Sequence, residues 1–316
     1  MQTIDTGYLG QPEFAAAYLL VDGDRAVFVD NNTSAAVPRL LAALDQQELV
    51  PEQVEYLIVT HVHLDHSAGT AAMVQACPNA VVLAHPRAAP HIIDPTRLVA
   101  SATAVYGADE FNRVYGAIEP VAADRVRSIE DEETVAFGTR ELKFLHTRGH
   151  ANHHCCIVDS ATESIYSGDA FGLAYPRLQA QHTFAFPSTS PTDFEPDLAR
   201  ASIQRLVDQQ PRSMHLTHFG TLTDIHTAAS QLLDHLDFSE ALRDSAERSD
   251  QPDEALQDYC LNRLQDYFRG QLDALGILRA HPSAADWIAL DLELNAQGIA
   301  FAANKRRRKA TQAAVF

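Results

Sequence analysis

Cysteine is scarce: four residues in 316, of which Cys155 and Cys156 are adjacent and Cys77 and Cys260 stand far from both. Neighbouring cysteines bridge only with strain, so no disulfide framework is expected. Cations are also short. Twenty-four lysines and arginines face 42 aspartates and glutamates, a formal charge of −18 with histidine neutral. General nucleic-acid binders neutralise phosphates with a basic face, so that role is not expected here. No run of roughly eighteen apolar residues is present, which argues against a membrane-spanning helix. Residues 1–10 lack the basic start and apolar centre of a secretory signal. The expectation is a soluble, cytoplasmic chain of one large or two smaller domains, with a core fed by 46% hydrophobic residues. Histidine is what the chain has in excess. There are 15, against 14 glycines, and nine of them lie from His61 to His154.

The first third alternates strand and helix signals. Phe14 to Val21 and Ala26 to Val29, split by Asp22-Gly23-Asp24, read as a hairpin. A helix through Leu40, Leu41 and Leu44 follows, with Thr33 or Ser34 as a candidate cap. The run VEYLIV at 54–59 reads as a buried strand that delivers the chain into Thr60-His61. Residues 71–76 read as a helix and 80–84 as another strand. Residues 86–127, with Pro86, Pro90, Pro95, Tyr106, Phe111 and Tyr115, read as a helical insertion, either packing or a lid. Strand signals return at 133–137, 141–146, 155–158, 164–167 and 213–217, with a helix over 199–207 between the last two. Beyond residue 221 the apolar spacing is helical, first at Leu222, Ile225, Ala229, Leu232, Leu233 and Leu236, then from Leu256 to Leu275. A third helix is expected from Ala284 to about Ala302, with a cap at Gly298, before a solvated basic tail at Lys305 to Lys309. The domains expected are therefore 1–221 and a helical extension, 222–316.

His61, His63, Asp65 and His66 follow the 54–59 strand directly. Imidazole and carboxylate groups suit borderline divalent ions, and a tight loop after a strand gathers such side chains into one volume. Partners are expected at other strand ends: His150 in Arg148-Gly149-His150, Asp169 in Gly168-Asp169-Ala170, and His218 in Thr217-His218-Phe219-Gly220. His85, His91, His146 and His215 are rivals that read as structural.

The succession H-x-H-x-D-H, Gly-His, Gly-Asp-Ala and Thr-His-Phe-Gly resembles the metallo-β-lactamase-fold hydrolase superfamily over roughly residues 1–221. The resemblance implies an α/β fold, a four-layer αββα sandwich, with a two-metal site at one edge. It assigns His61, His63 and His150 to the first ion, Asp65, His66 and His218 to the second, and Asp169 as bridge. It makes Asp30 a buttress behind the loop. Many members write Gly-His-Thr-x-Gly-His, whereas this chain writes Gly149-His150-Ala151-Asn152-His153-His154. His154 then stands where a second histidine is common, a candidate catalytic residue able to reach substrate or to support the ligands, or else a polar residue that starts a strand.

The implied cofactors are two divalent ions, zinc first, with manganese or iron as alternatives on the same ligands. The implied chemistry is attack by a water acidified between the ions on a small ester, thioester, lactone or phosphodiester, with Asp65 and Asp169 as catalytic carboxylates. A sensor of the same fold with little catalysis, or an iron-dependent redox enzyme, are the rival readings. The family's β-lactamases usually lack the bridging aspartate that Asp169 supplies. Its quorum-signal lactonases keep a tyrosine where this chain has Gly172. The expected partner is a small-molecule substrate, and the helical extension could complete a pocket, cover a sheet edge or form a homodimer interface.

Overall fold

The structure is a computed structural model that describes residues 1–179 and 182–313. The chain divides into two compact units, the first made of Met1–Thr147, His153–Gly168 and Gln210–Thr223.

This first unit carries two mixed six-stranded sheets flanked by helices, the architecture that the resemblance implies. The first sheet runs in sequence order through β1 (Gln2–Asp5), β2 (Ala16–Asp22), β3 (Arg25–Val29), β4 (Val54–Val59), β5 (Val81–Ala84) and β6 (Val126–Ser128). Its first three strands pair antiparallel, and β3 to β6 pair parallel. The second sheet is formed by β7 (Thr134–Phe137), β8 (Arg140–His146), β9 (Cys155–Asp159), β10 (Ser164–Gly168), β11 (Ser213–Leu216) and β12 (Gly220–Leu222). It is antiparallel except for the β10–β11 pair. The unit's helices are α1 (Val37–Asp45), α2 (Leu64–Ser67), α3 (Thr70–Ala76), α4 (Ala89–Ile93), α5 (Thr96–Tyr106) and α6 (Ala108–Val114).

Strand alternation sorts the core into two layers. Leu19, Phe28, Leu57, Val59 and Val82 pack with Leu40 and Leu44 of α1 and Met73 of α3. Their neighbours Tyr18, Leu20, Val27, Ile58 and Leu83 face Leu142, Phe144, Ile157 and Tyr166 of the second sheet. With both faces covered, β4 has no polar side to show, and VEYLIV is the sequence of such a strand. The 86–127 stretch holds α4 to α6, but its last two residues enter β6 and close the sheet edge.

The second unit comprises Arg148–Asn152, Asp169–Gln209 and Asp224–Phe316. Its helices are α7 (Pro196–Val207), α8 (Ile225–Arg248), α9 (Leu256–Ala274), α10 (Ile277–Ala280) and α11 (Ala289–Ala313). Phe184, Phe186 and Phe268 form its aromatic centre, with His235 at 5.0 Å from the Phe268 ring. Leu222, expected on a helix, lies in β12, and α8 begins three residues later, where Asp224 accepts from the Thr227 amide. Gly298 is no cap either: it sits inside α11, which continues through the basic run. The run is a solvated tail only in part: Lys305, Arg308 and Lys309 are exposed, while two of its arginines are engaged. Arg306 pairs with Asp244 and Glu247, and Arg307 donates to the Ala246 and Ser249 carbonyls, so the acidic end of α8 takes up its charge. Among the described residues no helix is long and apolar enough to cross a membrane.

Two histidines give this fold an expected acid sensitivity. Burial pushes His215, between Tyr18 and Tyr166, and His235 each down to about 4. An unfolded chain binds those protons near pH 6.5, so stability is full above that value and falls as the pH drops toward 4. Each site is expected to cost up to about 3 kcal/mol by the lower end. Urea midpoints should fall between pH 7.5 and 4.5, and less in His235→Phe; equal slopes for parent and variant would refute the assignment.

Candidate metal centre

The histidine loop starts where β4 ends, and β3 beside it delivers Asp30 to the same level through the Asp30 amide on the Ile58 carbonyl, 2.9 Å. Asp30 is buried and takes a left-handed backbone (φ 56°) that turns its carboxylate inward. It accepts from the Thr60 amide (2.9 Å), the Thr60 hydroxyl (2.9 Å), the Thr217 hydroxyl (2.9 Å) and His66 Nδ1 (2.8 Å). Thr60 and Thr217 each precede a predicted ligand histidine, and the repeated Thr-His dipeptide is the signal by which sequence reasoning could have found both. Asp30 is thus the buttress that the resemblance implies.

With Nδ1 of His66 donating to Asp30, its Nε2 points the other way, 3.8 Å from Asp65 Oδ2. His218 is oriented similarly: its Nδ1 lies 2.9 Å from the Phe14 carbonyl and its Nε2 is 3.2 Å from the same Asp65 oxygen. One ligand atom from each of Asp65, His66 and His218 falls within 4.8 Å of the others. Imidazoles whose far nitrogen is tied to a carboxylate or carbonyl, with the near ones converging on a carboxylate, are the usual surroundings of a bound divalent ion. The donor set therefore fits such an ion.

The local backbone explains the convergence. His63 is extended and stands just before the single turn of α2, which carries Asp65 and His66 in adjacent positions. His61 Nε2 and His63 Nδ1 lie 3.0 Å apart, a distance at which two imidazoles share a proton or a cation. In the second unit His150 Nε2 lies 3.4 Å from Asp169 Oδ2, and both side chains are buried. His150 Nδ1 is 3.3 Å from the Ser188 carbonyl, so this histidine too has its far nitrogen held.

His154 is fully buried, its Nδ1 2.8 Å from the Thr147 hydroxyl and its ring 4.8 Å from that of His61. Gly168 lets it in: its φ is 47°, and a Cβ there would stand 2.6 Å from His154 Nε2. The rivals are accounted for otherwise. His85 lies against His146 with ring centroids 4.0 Å apart and the planes tilted by 44°, and burial with the neighbouring imidazoles pushes it down to about 3. His146 Nε2 lies 2.9 Å from the Ile129 carbonyl, and His215 Nδ1 meets the Thr221 hydroxyl at 3.0 Å. His91 meets the ring of His153 at 6.5 Å.

Comparison with known proteins gives this site a setting. The family model described as Metallo-beta-lactamase superfamily matches residues 10–212. The metallo-beta-lactamase fold-containing protein ST1585 of Sulfurisphaera tokodaii is 23% identical over 228 residues, 71% of this chain and 79% of that protein. The crystal structure of ST1585 superposes with a TM-score of 0.61 over 76% of this chain and 85% of that one, at 22% identity. A metallo-beta-lactamase family protein of Thermus thermophilus, TTHA1429, gives 0.63 at 18% identity over 94% of this chain and 89% of that one. The MIM-2 metallo-beta-lactamase gives 0.50 at 18% identity over 72% and 84%.

Proposed function

The chain belongs to the metallo-beta-lactamase superfamily, and from that premise we propose that it is a dinuclear metal-dependent hydrolase of a small ester, thioester, lactone or phosphodiester. The observation that carries the reading is the convergence of Asp65, His66 and His218, with the far nitrogens of both histidines already engaged. In this reading His61, His63 and His150 hold one ion, Asp65, His66 and His218 hold the other, and Asp169 serves both. Zinc suits the set best, since five borderline imidazoles dominate it and zinc also accepts the two harder carboxylates; manganese or iron would be held by the same atoms. Bound divalent ions supply Lewis acidity and a water acidified toward neutral pH.

The chain's own groups do the rest. Asp30 fixes the tautomer of His66 and so aims its lone pair. Asp65 orients the attacking water by accepting its hydrogen bond and carries negative charge to the ions. His154, held by the Thr147 hydroxyl with its ring beside that of His61, is a positioning residue for that ligand. A cytoplasmic setting and a small-molecule substrate complete the proposal.

The test begins with metal analysis of the purified chain, followed by thioester, lactone, phosphodiester and β-lactam substrates. Asp169→Ala should lose metal and at least about a hundredfold in rate on whichever substrate turns over. A chain that binds no metal, or equal rates for parent and variant, would overturn the reading.

A further inference from the structure

One helix of the 86–127 stretch keeps part of its apolar face uncovered. On α5 the residues Leu98, Val99, Ala102, Val105 and Tyr106 recur at the spacing of a single helix face. Such a stripe is normally covered, and an eleven-residue helix has little stability without that cover. Yet no residue of α5 is buried. The cover is confined to one end. Leu98, Val99 and Ala102 pack against the cluster of Leu64, Ala68, Phe111 and Tyr115. Val105 and Tyr106 are 37% and 39% exposed.

The place of that cluster gives the open end its meaning. Leu64 stands between His63 and Asp65, and Ala68 follows His66 by two residues, so α5 lies over the loop that carries proposed ligands. A line of rings then runs from the open end to the site. Tyr106 and Tyr115 have ring centroids 5.7 Å apart, and the Tyr115 and Tyr8 hydroxyls are 2.7 Å apart. Tyr8 stacks on Phe14 at 6.1 Å, and Phe14 meets His218 edge-on at 6.0 Å. Every step of this line lies in the first unit. The Tyr8 and Tyr115 hydroxyls are engaged with each other, so the line offers mainly ring surface.

An exposed apolar strip of this kind marks a place for a partner or a ligand. Its continuity with His218 selects the ligand. A compound with its reacting group at the ions has this strip beside it, and only an apolar substituent gains by lying there.

Resting on the hydrolase reading of the site, we propose that the open end of α5, with Tyr8 and Phe14, is the wall that receives the apolar part of the substrate. The substrate class is then a compound whose scissile bond carries an apolar group several carbons long.

Straight-chain carboxylates test this, because a carboxylate head is itself a zinc ligand. Acetate, butanoate, hexanoate and octanoate are titrated calorimetrically into the zinc-treated full chain, with metal content measured in parallel. The series is repeated on the double variant Val105→Ser/Tyr106→Ser and on Ala104→Ser, which alters an exposed residue on the opposite face of α5. Parent affinity should rise about twofold per added methylene, as for a chain covered on one side. The double variant should bind octanoate about five- to tenfold more weakly, with acetate binding and metal content unchanged. Ala104→Ser should match the parent. Equal affinity from acetate to octanoate, an octanoate affinity that the double variant keeps, or the same loss in Ala104→Ser would overturn the proposal. A parent that sediments as a dimer beside a monomeric double variant would give the face to a second copy of the chain, and overturn it as well. A chain that holds no zinc, yet prefers octanoate and loses that preference in the double variant, would overturn the hydrolase reading alone.

Discussion

Asp30→Ala is expected to lose both stability and metal, more than any other single change at a residue that is not itself a proposed ligand. The carboxylate is 1% exposed and accepts four hydrogen bonds, from Thr60 twice, Thr217 and His66. Alanine removes the acceptor and leaves those donors buried. Each stranded donor costs on the order of 1–3 kcal/mol, and partial relaxation sets a combined loss of roughly 3–5 kcal/mol. The loss reaches the metal site because Thr60 and Thr217 immediately precede His61 and His218, and because His66 loses the group that fixes its tautomer. Metal affinity should fall about 10- to 100-fold. Asp30→Asn separates the two effects. Its amide keeps the shape and one acceptor, so most stability should survive, yet it pulls less strongly on the His66 proton. Urea unfolding and competition for metal with a chromophoric chelator read the two quantities. A variant that unfolds earlier while holding metal as tightly as the parent would show that Asp30 serves the fold alone.

The loop that Asp30 supports is legible in the sequence. His61, His63, Asp65 and His66 follow a strand whose boundaries, Val54–Val59, are those read from its apolar run. Their chemistry is unusual enough to stand out, and the loop geometry is local. The two-sheet fold came with the motif order. The gaps have physical causes. Strands β1 and β6 were not read because edge strands are short and half-exposed: Gln2–Asp5 buries one residue and Val126–Ser128 none. The basic run misled because its partners, Asp244, Glu247 and Asp253, lie more than 50 residues earlier. Gly298 misled for a related reason. Glycine near a helix end reads as a cap, but here its missing side chain answers to a segment over a hundred residues away.

That segment supplies the second large effect. A Cβ on Gly298 would stand 1.8 Å from the Thr189 carbonyl oxygen, so α11 packs its bare backbone directly on residues 189–191. One turn earlier Asn295 grips the same segment. Its Oδ1 accepts from the Thr189 amide at 2.6 Å, its Nδ2 donates to the Pro187 carbonyl at 2.9 Å, and its own carbonyl accepts from the Thr189 hydroxyl at 3.2 Å. Between those two residues lies Ser188, whose carbonyl meets His150 Nδ1. Asn295 is therefore a positioning residue for a proposed metal ligand, and a role for the helical extension follows from it. Asn295→Leu keeps the volume and deletes both side-chain bonds. It strands a buried amide and a carbonyl, at a cost of about 2–4 kcal/mol, and frees the Ser188 carbonyl to drift from His150. The expected readout is roughly tenfold weaker metal binding by chelator competition. Asn304→Leu, on the same helix, removes only a 3.4 Å bond to the Asp253 carbonyl and should leave metal binding unchanged. If Asn295→Leu lowers the unfolding midpoint while its metal affinity matches that of Asn304→Leu, the helix merely packs. A loss confined to Asn295→Leu makes α11 part of the machinery that aims His150.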